Sequence, residues 1–170
     1  MQIVAGFLLA ASARAFATEG DDILGLWYTA ENKSRVEVYR SPNAEGVEKY
    51  WGKLVWFKDP LYKEGDPDAG TPVRDRKNPD PAKHAVPLLG YAVLKSFVFN
   101  ASNGVWDSGT IYDPEVGKTY KCTIAMVDDA NAHGGKRLDV RGYIGIPTLG
   151  RTTVWTRVPD EDLKTAAEGN

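Results

Sequence analysis

One cysteine, two histidines and no basic excess mark this 170-residue chain by what it lacks. Cys122 alone excludes a disulfide framework within the chain, a cysteine-based zinc site and a Cys-x-x-Cys redox pair. Lys and Arg total 21 against 23 Asp and Glu, for a formal net charge of -2. The basic residues are scattered among the acids with no basic stripe, so no nucleic-acid partner is expected. No apolar stretch reaches the ~20 residues of a membrane-spanning helix, so no membrane span is expected. No nucleotide loop, nucleophile motif or metal-ligand spacing occurs, and the sequence therefore names no catalytic residue, no metal and no cofactor.

What is present is the composition of a folded globular protein: 42% hydrophobic, 26% charged and 11% aromatic. The length suits one domain with a real core rather than two. The N-terminus stands apart. Ile3 to Ala11 is apolar, and Ala15-Phe16-Ala17 follows after small residues. This reads as the apolar region and A-x-A cleavage site of a secretory signal over residues 1–17, which implies a periplasmic or secreted protein. Met1-Gln2 carries no basic side chain, so either the free amine supplies the charge or the true start lies upstream. The alternative is a buried N-terminal helix. A single thiol is compatible with export when the core is large.

From Thr18 onward the period is two, not 3.6. Alternating runs bounded by turn residues fall at Gly25 to Thr29, Arg35 to Arg40, Lys49 to Phe57, Tyr91 to Phe99, Val105 to Tyr112, Lys118 to Val127, Arg137 to Ile144 and Arg151 to Val158. That is an all-β chain of about eight strands over residues 18–158, with a polar tail over 159–170 that is a short helix or frayed. Short connections favour antiparallel neighbours. An eight-stranded up-and-down sheet removes its edges by closing into a barrel, whose interior is filled by side chains or holds one small ligand. An open two-sheet sandwich is the other architecture this pattern allows. A long interruption follows the third strand, from about Lys58 to Gly90. It is rich in Pro and Asp, and loops of that length are often functional. Alternation does not say which strand face points inward, because a slip of one residue inverts both.

The first strand begins Asp22-Ile23-Leu24-Gly25-Leu26-Trp27, and the last reads Thr153-Val154-Trp155-Thr156-Arg157. A Gly-x-Trp at this place resembles the lipocalin and wider calycin signature. That resemblance implies that Arg157 packs across Trp27 beside Gly25 and closes one end of the barrel, a contact worth roughly 0.5–2 kcal/mol. The runs Gly52-Lys53-Leu54-Val55, Lys77-Asn78-Pro79-Asp80-Pro81, Pro87-Leu88-Leu89-Gly90, Trp106-Asp107-Ser108-Gly109-Thr110-Ile111-Tyr112-Asp113-Pro114, Gly117-Lys118-Thr119-Tyr120 and Val140-Arg141-Gly142-Tyr143-Ile144-Gly145-Ile146-Pro147 resemble the bacterial domain-of-unknown-function family DUF2147. The resemblance spans nearly the whole mature chain. It implies an exported bacterial protein with a lipocalin-like barrel and supplies no activity.

The residues expected to contact a ligand are Asp75, Asn78, Asp80 and His84 of the long loop, with Tyr91 and Tyr112 beside it. As a lid over a barrel mouth the loop would carry binding; alternatively, its Asp and Asn residues only organise turns. Cys122 alternates with apolar residues and is expected buried and inert, and His133 is expected in an exposed turn. The apolar run Ile144 to Leu149 either caps the barrel or, if exposed, docks on a membrane or partner. Three functional readings follow. The first is an exported carrier of a small hydrophobic or amphipathic molecule. The second is an envelope interaction protein with a filled barrel. The third is an enzyme using loop carboxylates at the barrel mouth.

Overall fold

Eight strands form from the alternating runs: β1 (Gly25–Tyr28), β2 (Ser34–Pro42), β3 (Glu48–Phe57), β4 (Ala92–Asn100), β5 (Val105–Asp113), β6 (Lys118–Asp128), β7 (Lys136–Tyr143) and β8 (Arg151–Arg157). A computed structural model describes residues 19–167, with side chains through residue 163. The expected signal over residues 1–17 lies outside the described residues.

Each strand pairs antiparallel with the next, and β8 returns to β1 through Trp27↔Arg157 and Tyr28↔Thr156. That last ladder closes the barrel and rules out the open sandwich. The register settles which face is inward. On β7, Leu138 and Val140 are buried, while Arg137 and Asp139 face outward as an ion pair of 3.0 Å. On β6, Cys122 and Ile124 lie opposite Gly142 and Val140. On β3, Tyr50 and Leu54 point inward, and Lys53 reaches Glu37 outside at 2.9 Å.

Strict alternation fails on β4 and β5, as it does on β2 where the register shifts between Arg35 and Val36. Leu94 and Phe97 are both buried although three positions apart, and so are Trp106 and Gly109. Ser96 (φ 63°) and Ser108 (φ 60°) absorb the extra residue in the left-handed region, and the register of β3–β4 and β5–β6 shifts beside them. These are β-bulges, which bend the strands and increase their twist. The ring of Phe97 lies against Gly109, leaving no room for a Cβ there.

The connections alternate between two ends. Residues 29–33, 58–91, 114–117 and 144–150 gather at one, and 43–47, 101–104 and 129–135 at the other. At the second end a 3-10 turn, Glu19–Ile23, plugs the barrel. After β8 the chain forms α1 (Asp160–Ala167). It lies against the outer wall, where Arg35 is held between the Tyr28 and Trp56 rings and donates to the Asp162 carbonyl at 3.2 Å.

Candidate functional site

The barrel is filled in one half and hollow in the other. In the filled half Ile23, Val38, Tyr50, Leu94, Phe97 and Ile124 close together with no room for a water. Trp106 donates to the Gly20 carbonyl at 3.0 Å, and Tyr50 to Asp21 at 2.9 Å, so the plug is tied to the walls. Arg157 stacks 4.0 Å from the centre of the Trp27 ring and donates to the Leu24 and Asp22 carbonyls at 2.8 and 2.7 Å. Gly25 has φ 112°, and a Cβ there would meet Arg157 Nη1 at 3.0 Å. Only glycine suits that position, which gives the Gly-x-Trp pattern its physical reason. Gly25, Trp27 and Arg157 therefore sit together at the closed end, away from the cavity.

In the hollow half an open cavity of about 880 Å³ lies under the loops of the opposite end. Drug-sized ligands occupy pockets of roughly 300–1,000 Å³ with mainly apolar walls. Its floor and walls are Val36, Leu54, Val93, Ile111, Val140 and Trp155. Gly142 widens it, because a Cβ there would meet nothing closer than 3.5 Å. At the rim stand Lys33, Arg74, Arg76, Lys77 and Arg151, against Glu31, Asp113 and Glu115.

The long loop after β3 is ordered by its own hydrogen bonds. Val73 donates to Pro60 at 3.0 Å, Leu88 to Val73 at 3.1 Å and Asp75 to Val86 at 2.9 Å, so three short segments lie side by side across the mouth. Its exit zips onto β3, with Gly90 donating to Leu54 at 2.7 Å. Tyr62, Val73 and Leu88 of this loop face the cavity.

The six loop and neighbouring residues expected to contact a ligand come together, but mostly outside the cavity wall. Asp75 is fully buried, taking hydrogen bonds at 2.6 Å from Tyr112 on Oδ1 and at 2.6 Å from Asn78 on Oδ2. The Asn78 carbonyl meets His84 Nε2 at 2.8 Å, and Asn78 Oδ1 accepts from the Asp80 amide at 2.9 Å. Asp80 in turn caps the turn Pro81–Lys83 through the Ala82 amide. Tyr91 packs on Tyr112 with ring centres 5.6 Å apart. Of the six, Tyr112 alone lines the cavity. Burial, with Asp75 beside it, pushes the Tyr112 hydroxyl well above the usual tyrosine range. The cluster is a latch that pins the loop to β5, and its polar atoms are occupied in doing so.

A second fastening lies outside the latch. Arg76 stacks 3.5 Å from the centre of the Tyr62 ring and forms an ion pair with Asp66 at 2.7 Å and another with Asp68. Arg74 reaches Asp68 at 2.8 Å. The hydrogen bonds from Arg76 hold the Asp66 carboxyl down to about 2. Lys77 donates to the Glu115 carbonyl at 2.5 Å, and the backbone of Gly117 abuts the Lys77 carbonyl so closely that no side chain fits between them.

Among the described residues no group of three or more His, Cys, Asp or Glu is placed to hold a metal. His133 lies in an exposed turn. Cys122 is buried, and that burial pushes its thiol up to about 12. A thiol so rarely ionised is a poor nucleophile. The apolar wall was missed in the sequence because it is made of ordinary inward strand residues. The pattern that could have pointed to it is small or short side chains, Val140, Gly142 and Thr153, at one end of β7 and β8, where the other end carries Leu138 and Trp155.

No curated protein matches the chain. Among solved structures it is similar to protein HP1028 from the human pathogen Helicobacter pylori, described as belonging to the lipocalin family. The two share 21% identity with a TM-score of 0.62 over 85% of this chain and 88% of that one. At that identity the likeness shows the fold, a lipocalin-like barrel. A sequence profile of the uncharacterised proteins conserved in bacteria called DUF2147 matches residues 25–157, from the first residue of β1 to the last of β8. The chain belongs to that family.

Proposed function

We propose that this protein is an exported bacterial carrier that holds one hydrophobic or amphipathic molecule in the open half of its barrel. The observation that carries the reading is the cavity of about 880 Å³, walled by aliphatic side chains and covered by a latched loop. A barrel with a purely structural role has no use for this hollow, since unfilled space forfeits packing energy. With Arg74, Arg76 and Lys33 paired to Asp68, Asp66 and Glu31, the rim presents Lys77 and Arg151 beside Asp113 and Glu115, which suits a molecule with a polar end. Its hydrocarbon part lies against Val36, Leu54 and Val140, and its polar end lies at the rim. Export rests on the A-x-A pattern at Ala15-Phe16-Ala17 and is part of the proposal.

The test is displacement of a fluorescent fatty acid by unlabelled acids of increasing chain length, with native mass spectrometry for stoichiometry. One equivalent is expected to bind. Affinity should tighten about fourfold per added methylene until the cavity is full, from ~0.8 kcal/mol per buried CH₂. Absence of saturable binding at every chain length overturns the reading. Determining residues 1–17 as cleaved or retained in the native host tests export separately.

A further inference from the structure

The open end differs from the closed end in what it shows to solvent. Ten large hydrophobic side chains are exposed among the described residues, and six of them sit on loops around the cavity mouth: Leu61, Leu89, Val116, Ile144, Ile146 and Leu149. The closed end has Val47. The most exposed cluster is the β7–β8 hairpin tip, where Ile144, Ile146 and Leu149 are 68, 57 and 80% accessible. Scattered exposed aliphatics are ordinary, but a cluster of them at one place marks an interaction site.

The tip is a built structure. Arg141 donates from Nε to the Pro147 carbonyl at 2.8 Å and from Nη2 to the Thr148 carbonyl at 3.1 Å, and Nη1 reaches Thr152 at 2.9 Å. Leu149 and Gly150 close the turn on Ile146 and Pro147 at 3.2 and 3.0 Å. Gly150 is packed against the Gly142 carbonyl, where a Cβ would come to 2.6 Å. These fastenings hold the backbone while the three aliphatics face outward, so little entropy is lost when something covers them.

We propose that the β7–β8 hairpin tip docks the mouth of the barrel onto the surface of an anionic lipid bilayer. Three observations favour lipid over a protein partner. The tip is exposed and aliphatic, whereas protein hot spots are rich in Trp, Tyr and Arg with Leu under-represented. From Val140 to Thr156 the chain has Arg141 and Arg151 and no acid, so the tip is flanked by cationic side chains suited to anionic headgroups. Ile144 and Leu149 also line the cavity mouth, so the docked surface is continuous with the apolar interior. A molecule leaving the bilayer would enter the barrel along Leu149 and Ile144 without crossing water. That last step rests on the carrier reading; the docking itself does not.

The experiment is sedimentation of the purified protein with sucrose-loaded vesicles of phosphatidylethanolamine and phosphatidylglycerol, beside vesicles of phosphatidylcholine. Saturable partition is expected, several-fold stronger on the anionic vesicles. Ile146→Asp should lose it by tenfold or more, and Leu149→Ser by roughly fivefold. Val47→Asp, at the other end, should partition as the unsubstituted protein does, and circular dichroism checks that each variant folds. The proposal is overturned if the unsubstituted protein ignores both kinds of vesicle, or if Ile146→Asp and Leu149→Ser bind them undiminished. Self-association that Ile146→Asp abolishes, without vesicle binding, would assign the tip to a second copy and overturn the proposal too. A fatty-acid probe in the same samples separates the two readings. Vesicle binding without probe uptake keeps the docking and sinks the carrier. Uptake without vesicle binding does the reverse.

Discussion

At the closed end Trp27, Phe97 and Trp106 fill the barrel, and every connection is short. At the open end the walls narrow to Val36, Val140 and Gly142, and one connection runs for more than thirty residues. The same eight strands pass through both halves, so the difference lies in side-chain volume and in what the loops do. The closed end gathers buried aromatics with their N–H and O–H groups paired to the plug. Such packing carries stability. The open end spends its polar groups on fastening a cover over empty space. A fold divided in this way has one half to keep it folded and another free to be shaped for a ligand.

The largest test of that division is Trp27→Ala. It removes a fully buried indole and leaves Arg157 without its stacking partner. A loss of about 3–5 kcal/mol in urea unfolding is expected, as for large-to-alanine changes in cores. A loss below ~1 kcal/mol would mean that stability is not concentrated at this end.

Two glycines sharpen the contrast with one substitution. Gly109→Ala drives a methyl into the Phe97 ring, so about 1–3 kcal/mol of overpacking is expected. Gly142→Ala places its methyl at ordinary contact distance in the cavity wall. It should be neutral or stabilising by up to ~1 kcal/mol, because alanine costs a strand less entropy than glycine. Gly142→Leu should then cut acyl-probe affinity tenfold or more by filling the hollow, with unfolding little changed. Equal effects of the two alanines on stability would erase the difference between the halves.

Strand positions, the antiparallel order and the long third connection were legible in alternation and turn residues. The inward face was not, because alternation is symmetric until one face is seen to be buried. The bulges at Ser96 and Ser108 were also illegible. Serine carries no signal for a positive φ, and the packing of Phe97 over Gly109 that accompanies the distortion joins residues of two different strands. In the loop, Asp75, Asn78, Asp80 and His84 stood out as polar groups in an unusual place, and they do form one network with Tyr112. Sequence could not tell a ligand contact from a latch, since both need buried hydrogen-bonding groups. Only three-dimensional pairing shows that the Asp75 oxygens are already taken. The cavity wall was invisible for the opposite reason: Val, Leu and Ile on a strand read the same beside a hollow as beside a packed core.

The latch itself predicts a mid-sized effect. Tyr112→Phe leaves the buried Asp75 one donor short and should cost roughly 1–2 kcal/mol. Its pH dependence has a fixed sign. The Tyr112 hydroxyl is raised above its ordinary value, so its contribution is complete below about pH 10 and is lost as pH rises beyond that. Unfolding measured at about pH 8 and about pH 11 should therefore show a smaller alkaline loss in Tyr112→Phe than in the unsubstituted protein. An unchanged alkaline loss would remove Tyr112 from the latch.

The smallest effect belongs to the outer fastening and falls at the opposite end of the pH scale. Asp66 is held down to about 2 by Arg76, so its contribution is present above the usual carboxylate pKa and fades as pH falls from about 4 toward 2. The group is exposed, and surface ion pairs contribute little, so the barrel should stay folded while the loop loosens. Amide exchange over residues 60–76 should speed up by no more than about fivefold across that range, with exchange in β1 unmoved. Asp66→Asn should produce the same loosening at neutral pH and remove its acid dependence. Exchange that instead rises together in the loop and in β1 would show that the cover and the closed end unfold as one, and the two halves would then differ in shape but not in stability.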